Sequence, residues 1–106
     1  MVKETGIEIK IKNNSSKQIT NVEFTTTENL EVIKIDKIAP REIVKQFLSM
    51  RKNKSDGAYL LTFTRSNGER VTNLAGYYTN GGSVNYCVDF RVEKDTTIVK
   101  FDRLVY

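Results

Sequence analysis

"DGAYLLTFTRSNGERVTNLAGYY", residues 56–78, decides how this chain folds. Asn67-Gly68 stands between two runs rich in β-branched and aromatic residues, and this dipeptide suits the positive φ angles of a type I′ hairpin turn. The stretch therefore reads as two antiparallel strands. A hairpin alone is marginal in water and needs neighbouring strands to cover its apolar face.

Alternation supplies those neighbours on both sides. "GIEIKIK" sets Ile7, Ile9 and Ile11 on one face against Glu8, Lys10 and Lys12 on the other, the pattern of a half-buried strand. "NNSSKQ" breaks it with turn formers, and "ITNVEFTTT" follows with Val22 and Phe24 in phase. "LEVIKI" slips parity between Val32 and Ile33, which predicts a bulge there. Downstream, "SVNYCVDFRV" places Val84, Tyr86, Val88, Phe90 and Val92 on one face, with Asn85, Cys87, Asp89 and Arg91 on the other. "TIVKF" returns with Val99 and Phe101 in phase.

Residues 41–50 are ambiguous. Ile43, Val44, Phe47 and Leu48 fall at helical spacing behind Pro40, which permits one short helix. A strand reading fits the all-β surroundings better and leaves Phe47 for the core. The count becomes seven or eight strands with turn signals every 8–15 residues, which predicts an all-β antiparallel β-sandwich. A closed barrel is the main competitor. At 106 residues the chain makes one domain, spanning 1–106.

Composition excludes several functions. There is no histidine, the usual general base near neutral pH, and Cys87, the one cysteine, has no imidazole to generate its thiolate. Asp89, Glu93, Asp95 and Asp102 cluster toward the C-terminus, but each lies on a polar strand phase or in a turn beside Arg91, Lys94, Lys100 and Arg103. They read as a solvated face with cross-strand ion pairs, not as a glycosidase pair. Zinc and iron–sulfur clusters lack a ligand set, and "NKSDG" lacks the spacing of a calcium loop. The expectation is a protein with no catalytic residue, no metal and no cofactor.

"AGYYTNGGS" (75–83) has glycines at 76 and 81 with the five-residue separation of a phosphate loop. Gly82, however, stands where the lysine belongs, and a strand follows instead of a helix. Its glycines read as a turn around Asn80-Gly81-Gly82. Tyr77 and Tyr78 are consecutive, so an extended chain points one inward and one outward.

The formal net charge of +4 is concentrated in sequence. Residues 40–54 hold Arg41, Lys45, Arg51, Lys52 and Lys54 against Glu42, which accounts for all of it. Clustered Lys and Arg can contact phosphates, but stacking on single strands needs exposed aromatics nearby, and Phe47 is the one aromatic available, which argues against nucleic acid. An acidic protein surface is the better partner. The candidate contact residues are Arg51, Lys52 and Lys54, with Tyr77, Tyr78 and Asn80 as a second patch. No apolar run approaches the roughly 20 residues of a membrane span, and the N-terminus lacks a signal-peptide core. Both point to the cytoplasm; an export signal removed beforehand would leave the same sequence.

"IKNNSSKQITNVEF", "IDKIAPRE", "DGAYLLTFTRSNGE" and the C-terminal strand pair together resemble small bacterial immunoglobulin-like modules. The resemblance implies a sandwich fold and a binding role, and it carries over no site residue. In overall profile the chain is also similar to cytoplasmic immunity proteins, which neutralise the toxins of rival cells by covering an active site with a rigid surface. Inhibitors of nucleases tend to be acidic, so this basic chain implies a toxin with an acidic surface. The alternative is an accessory domain of an exported or cell-surface protein, binding protein or carbohydrate through exposed tyrosines.

Overall fold

Ile7, Ile9 and Ile11 are buried, and the period-2 alternation that placed them there makes Gly6–Asn13 the first strand, β1. A computed structural model of the chain describes residues 6–50, 55–79, 82–83 and 87–101. Among these, β1 is followed by β2 (Ile19–Thr26), β3 (Ile33–Ile38), β4 (Ile43–Ser49) and β5 (Gly57–Thr64). Then come β6 (Arg70–Thr79), β7 (Gly82–Ser83), β8 (Cys87–Val92) and β9 (Thr97–Phe101). The described residues thus hold eight strands of five or more residues plus the two-residue β7, where seven or eight strands were expected. Residues 43–49 are strand, not helix.

Two sheets pack face to face. Sheet A has the order β4-β1-β8-β9 and sheet B the order β3-β2-β5-β6-β7. Sheet A is mixed: β1 and β8 run parallel, the other pairs antiparallel. This departs from the antiparallel expectation. The chain between β1 and β8 leaves sheet A to build sheet B, and a crossover of that length frees β8 to run in either direction.

The core lies between the sheets. Sheet A contributes Ile7, Ile9, Ile11, Leu48, Val88, Phe90 and Val92, and sheet B contributes Ile19, Val22, Phe24, Ile38, Tyr59, Leu61, Phe63 and Tyr78. Phe24 joins the two layers, stacking on Tyr59 at 5.9 Å and meeting Phe90 edge-on at 5.7 Å.

Sheet B carries two bulges, and neither falls where the sequence suggested. At the first, Asn21 and Val22 together oppose Phe63, with Asn21 at φ 48°. The extra residue moves the inward phase from Ile19 to Val22 and Phe24. The parity slip at Val32–Ile33 is no bulge: β3 simply begins at Ile33, leaving Leu30 and Val32 exposed in the preceding turn. At the second bulge Gly76 and Tyr77 oppose Ala58, with Gly76 at φ 59°. Gly76 is therefore a bulge glycine inside β6, not part of a turn.

The β5–β6 hairpin forms where Asn67-Gly68 predicted, but with a longer loop. The Gly68 amide donates to Arg65 O at 2.9 Å and the Arg65 amide to Glu69 O at 2.8 Å, with only Gly68 left-handed, at φ 90°. This is a type I turn closed by a glycine bulge instead of a type I′ turn. Asn67 Oδ1 accepts from the Glu69 amide, so its side chain supports the turn from outside.

One end of the sandwich is tied by a buried asparagine. Asn13 Nδ2 donates to Lys17 O (2.8 Å) and Ile38 O (3.0 Å), while its Oδ1 accepts from the Ser15 amide and hydroxyl. All its side-chain hydrogen-bonding groups are engaged, which is what permits an amide at 0% exposure. Arg65 closes the same end by donating to Glu93 O at 2.9 Å.

Candidate functional site

The regular register of sheet A turns its solvent face into straight rows. Ile7, Ile9 and Ile11 face the core, so Glu8, Lys10 and Lys12 face out, and each outward residue has a lateral neighbour on the next strand. The first row reads Phe47–Glu8–Cys87. The second reads Lys45–Lys10–Asp89–Lys100, and the third Ile43–Lys12–Arg91–Ile98. Five cations (Lys10, Lys12, Lys45, Arg91 and Lys100) share this face with two carboxylates (Glu8 and Asp89), which leaves a net +3.

Two lateral contacts are between like charges. Lys45 lies directly across from Lys10, and Lys12 across from Arg91. Such pairs destabilise a sheet by roughly 0.2–1 kcal/mol each. Compensation among the described residues comes from Asp89, which lies across from Lys100 and makes a long contact with Lys10, Nζ to Oδ2 at 4.0 Å. Folding gains little from this arrangement, whereas an approaching anionic surface would relieve it.

Apolar side chains flank the charges. Phe47 is 41% exposed, Ile43 46% and Ile98 44%. Phe47 corrects the sequence reading that placed it in the core. In β4 the inward phase belongs to Val44, Leu48 and Met50, so Ile43, Lys45 and Phe47 take the outer face. The Phe47 ring lies against Gly6, where any side chain would collide with it. Glu8, Lys10, Lys45, Cys87 and Asp89 line a shallow depression of about 270 Å³ at the centre of the face. Cys87 is half-buried there.

Tyr78, one of the predicted contact residues, is not on the surface. The Gly76 bulge shifts the inward phase of β6 from Ala75 to Tyr78, whose ring is 0% exposed and packs on Tyr59 at 5.5 Å. Its hydroxyl donates to Glu28 Oε1 at 2.7 Å. Arg51, Lys52, Lys54 and Asn80 lie outside the described residues, as does the side chain of Tyr77. β6 and β7 pair antiparallel with Thr79 opposite Gly82, so the chain reverses between them, as expected for this stretch.

The basic face escaped the sequence because its residues come from four strands that are not consecutive. Each strand's polar phase was legible; which strands would lie side by side was not. The carboxylates expected to be a solvated face are in part so: Asp89 pairs with Lys10, while Glu93 Oε2 accepts from Asn14 Nδ2 at 2.9 Å. Among the described residues no three His, Cys, Asp or Glu side chains are grouped to hold a metal.

No protein-family model matches the chain, and no curated protein matches its sequence. Among solved structures, the fold is similar to a protein from Eubacterium rectale determined by NMR, at 14% identity and a TM-score of 0.62. That match covers 93% of this chain and 90% of the other, so it extends the fold similarity over nearly the whole domain.

Proposed function

We propose that this chain is a non-catalytic protein-binding domain whose contact surface is the outer face of sheet A, and whose partner presents an acidic surface. The observation that carries this reading is the second row, in which three lysines, Lys45, Lys10 and Lys100, share the row with one aspartate, and Phe47 is exposed in the neighbouring row. A rigid sheet loses little conformational freedom on docking, and exposed aromatic and aliphatic side chains at its margins supply apolar contact. Arg51, Lys52 and Lys54 remain candidate contact residues in this reading.

Within this reading the chain acts as a cytoplasmic inhibitor or immunity protein that covers the active site of a toxin. Its architecture is classed with immunoglobulin-like sandwiches in the broad sense of two packed sheets linked by chain crossings at both ends. The strand order is β3-β2-β5-β6-β7 over β4-β1-β8-β9. The carbohydrate-binding alternative drew on exposed tyrosines, and burial of Tyr59 and Tyr78 removes part of that support.

The test is affinity capture from the native cell with the wild-type chain and with a Lys10→Glu/Lys45→Glu/Lys100→Glu variant. The expected outcome is one partner held by the wild type and lost by the variant. That partner, expressed alone, should be toxic, and co-expression with the wild-type chain should restore growth. Equal capture by the variant defeats the assignment of the face. A harmless partner defeats the inhibitor reading.

A further inference from the structure

We infer that Asp89 is the specificity residue of the sheet A face, and that it receives a basic side chain of the partner set among carboxylates that meet Lys10, Lys45 and Lys100. This rests on the protein-binding reading above and adds to it a defined charge pattern.

The inference begins from an imbalance at one carboxylate. Asp89 is 21% exposed at its side chain and lines the central depression. Its Oδ1 is enclosed, and among the described residues no donor reaches it. Among the described residues its Oδ2 has the 4.0 Å contact with Lys10. A carboxylate oxygen withdrawn from water without a donor costs about 1–3 kcal/mol. Rotation about the Cβ–Cγ bond would only put the other oxygen in the same enclosed place, so a donor entering from outside is one that reaches Oδ2. A guanidinium is the best match, because it stays charged and is weakly hydrated, and so gives up little to enter a partly enclosed site.

The same pattern decides between classes of partner. Glu8 lies directly beside Phe47, and Asp89 interrupts the lysine row. A nucleic-acid strand stacking on Phe47 would bring its phosphates against Glu8, and one laid along the second row would meet Asp89. Uniform negative charge is repelled at both points. A protein surface can alternate sign from residue to residue. Carboxylates there meet Lys10, Lys45 and Lys100 while one cation enters at Asp89. Wrong partners are rejected by the like-charge contact they would make at Asp89.

The test uses three fluorescent probes: a glutamate-rich peptide of about twelve residues with a central arginine, the same peptide with glutamine in its place, and an oligothymidylate of similar length. Binding to the full chain is read by anisotropy at low salt, and contacts are mapped by amide chemical shifts. The wild type should bind the arginine peptide about tenfold more tightly than the glutamine peptide, the effect of one well-formed charge pair. Asp89→Asn should abolish the preference, binding the two peptides alike and the glutamine peptide more tightly than the wild type does because a repelling carboxylate is gone, and Asp89→Ser should do the same. Lys10→Glu with Lys100→Glu should weaken both peptides.

Equal affinity of the wild type for the two peptides, with both weakened by the lysine reversals, sinks the role of Asp89 and leaves the protein-binding face standing. Failure of both peptides to perturb β1, β8 and β9 amides overturns the face itself, and with it the inference. Tighter binding of the oligothymidylate than of either peptide overturns both in favour of nucleic acid.

Discussion

The two outer faces of the sandwich are built from the same kind of strand and treat charge in opposite ways. On sheet B, Glu23 lies across from Lys34 and forms an ion pair with Arg70 at 3.4 Å. Arg70 also donates to Asn21 O and Thr64 Oγ1, so one guanidinium closes the first bulge. The neighbouring positions are threonines, with Thr62 Oγ1 3.5 Å from Thr72 Oγ1. The charges at the centre of sheet B, Glu23 and Arg70, are joined to each other within the sheet. On sheet A, lysine faces lysine and lysine faces arginine, relieved among the described residues by Asp89, which lies between Lys10 and Lys100 and is 4.0 Å from Lys10 Nζ. The first face sets opposite charges side by side and the second sets like charges side by side, and a face of like charges is the one that gains from a second molecule of opposite charge.

The most severe way to break this contrast is to remove what both faces stand on. Phe24 links the sheets through Tyr59 and Phe90. Phe24→Ala should cost about 4 kcal/mol, most of the stability of a domain this size. Phe47→Ala, at a ring 41% exposed on the sheet A face, should cost no more than about 1 kcal/mol while weakening binding of the acidic peptides. Urea denaturation of both variants checks the pair. A comparable loss of stability in the two would show that Phe47 belongs to the fold and not to the contact surface.

That division between the two phenylalanines was beyond the sequence, for a physical reason. Both sit in β-rich runs, and period 2 says which residues share a face without saying which face is buried. In β1 and β8 the question answers itself, because Ile7, Ile9, Ile11 and Val88, Phe90, Val92 oppose purely polar phases. In β4 both phases carry apolar residues, so hydropathy cannot choose between Phe47 and Leu48. The bulges hide for a related reason. A bulge exists only relative to a partner strand, and Asn21 and Gly76 acquire their positions from Phe63 and Ala58. The single glycine inside a strand pattern was a usable signal for the second bulge. Nothing comparable marked the first, and the basic face required the strand order itself.

Gly76 sharpens the comparison from the sheet B side. Its φ of 59° is strained for any L side chain, and a Cβ there would run into the Phe101 ring of sheet A. Gly68 is also left-handed, at φ 90°, but has open space around it. Gly76→Ala should therefore cost about 2 kcal/mol and Gly68→Ala about 1 kcal/mol, the difference reporting the contact between β6 and β9. Amide shifts of β9, including Lys100, should move in the first variant only. Equal costs would mean that the Phe101 ring swings away freely and that the sheets are less firmly coupled along this margin.

The smallest effects test the contrast most directly, because they should differ in sign. Glu23→Gln removes the partner of Arg70 and the neighbour of Lys34, and should lower stability by about 0.5 kcal/mol at low salt. Lys45→Gln removes a cation set directly across from Lys10, and should raise stability by a similar ~0.5 kcal/mol. Both differences should shrink in roughly 0.5 M salt, where exposed charges are screened over a few ångströms. Binding of the acidic peptides should follow the other order, weakened by Lys45→Gln and untouched by Glu23→Gln. Should Lys45→Gln instead destabilise the chain at low salt, the lysine's methylene stem packed along the sheet outweighs its repulsion from Lys10. The basic row would then be part of how sheet A holds together, and its uncompensated charge would no longer point to a partner.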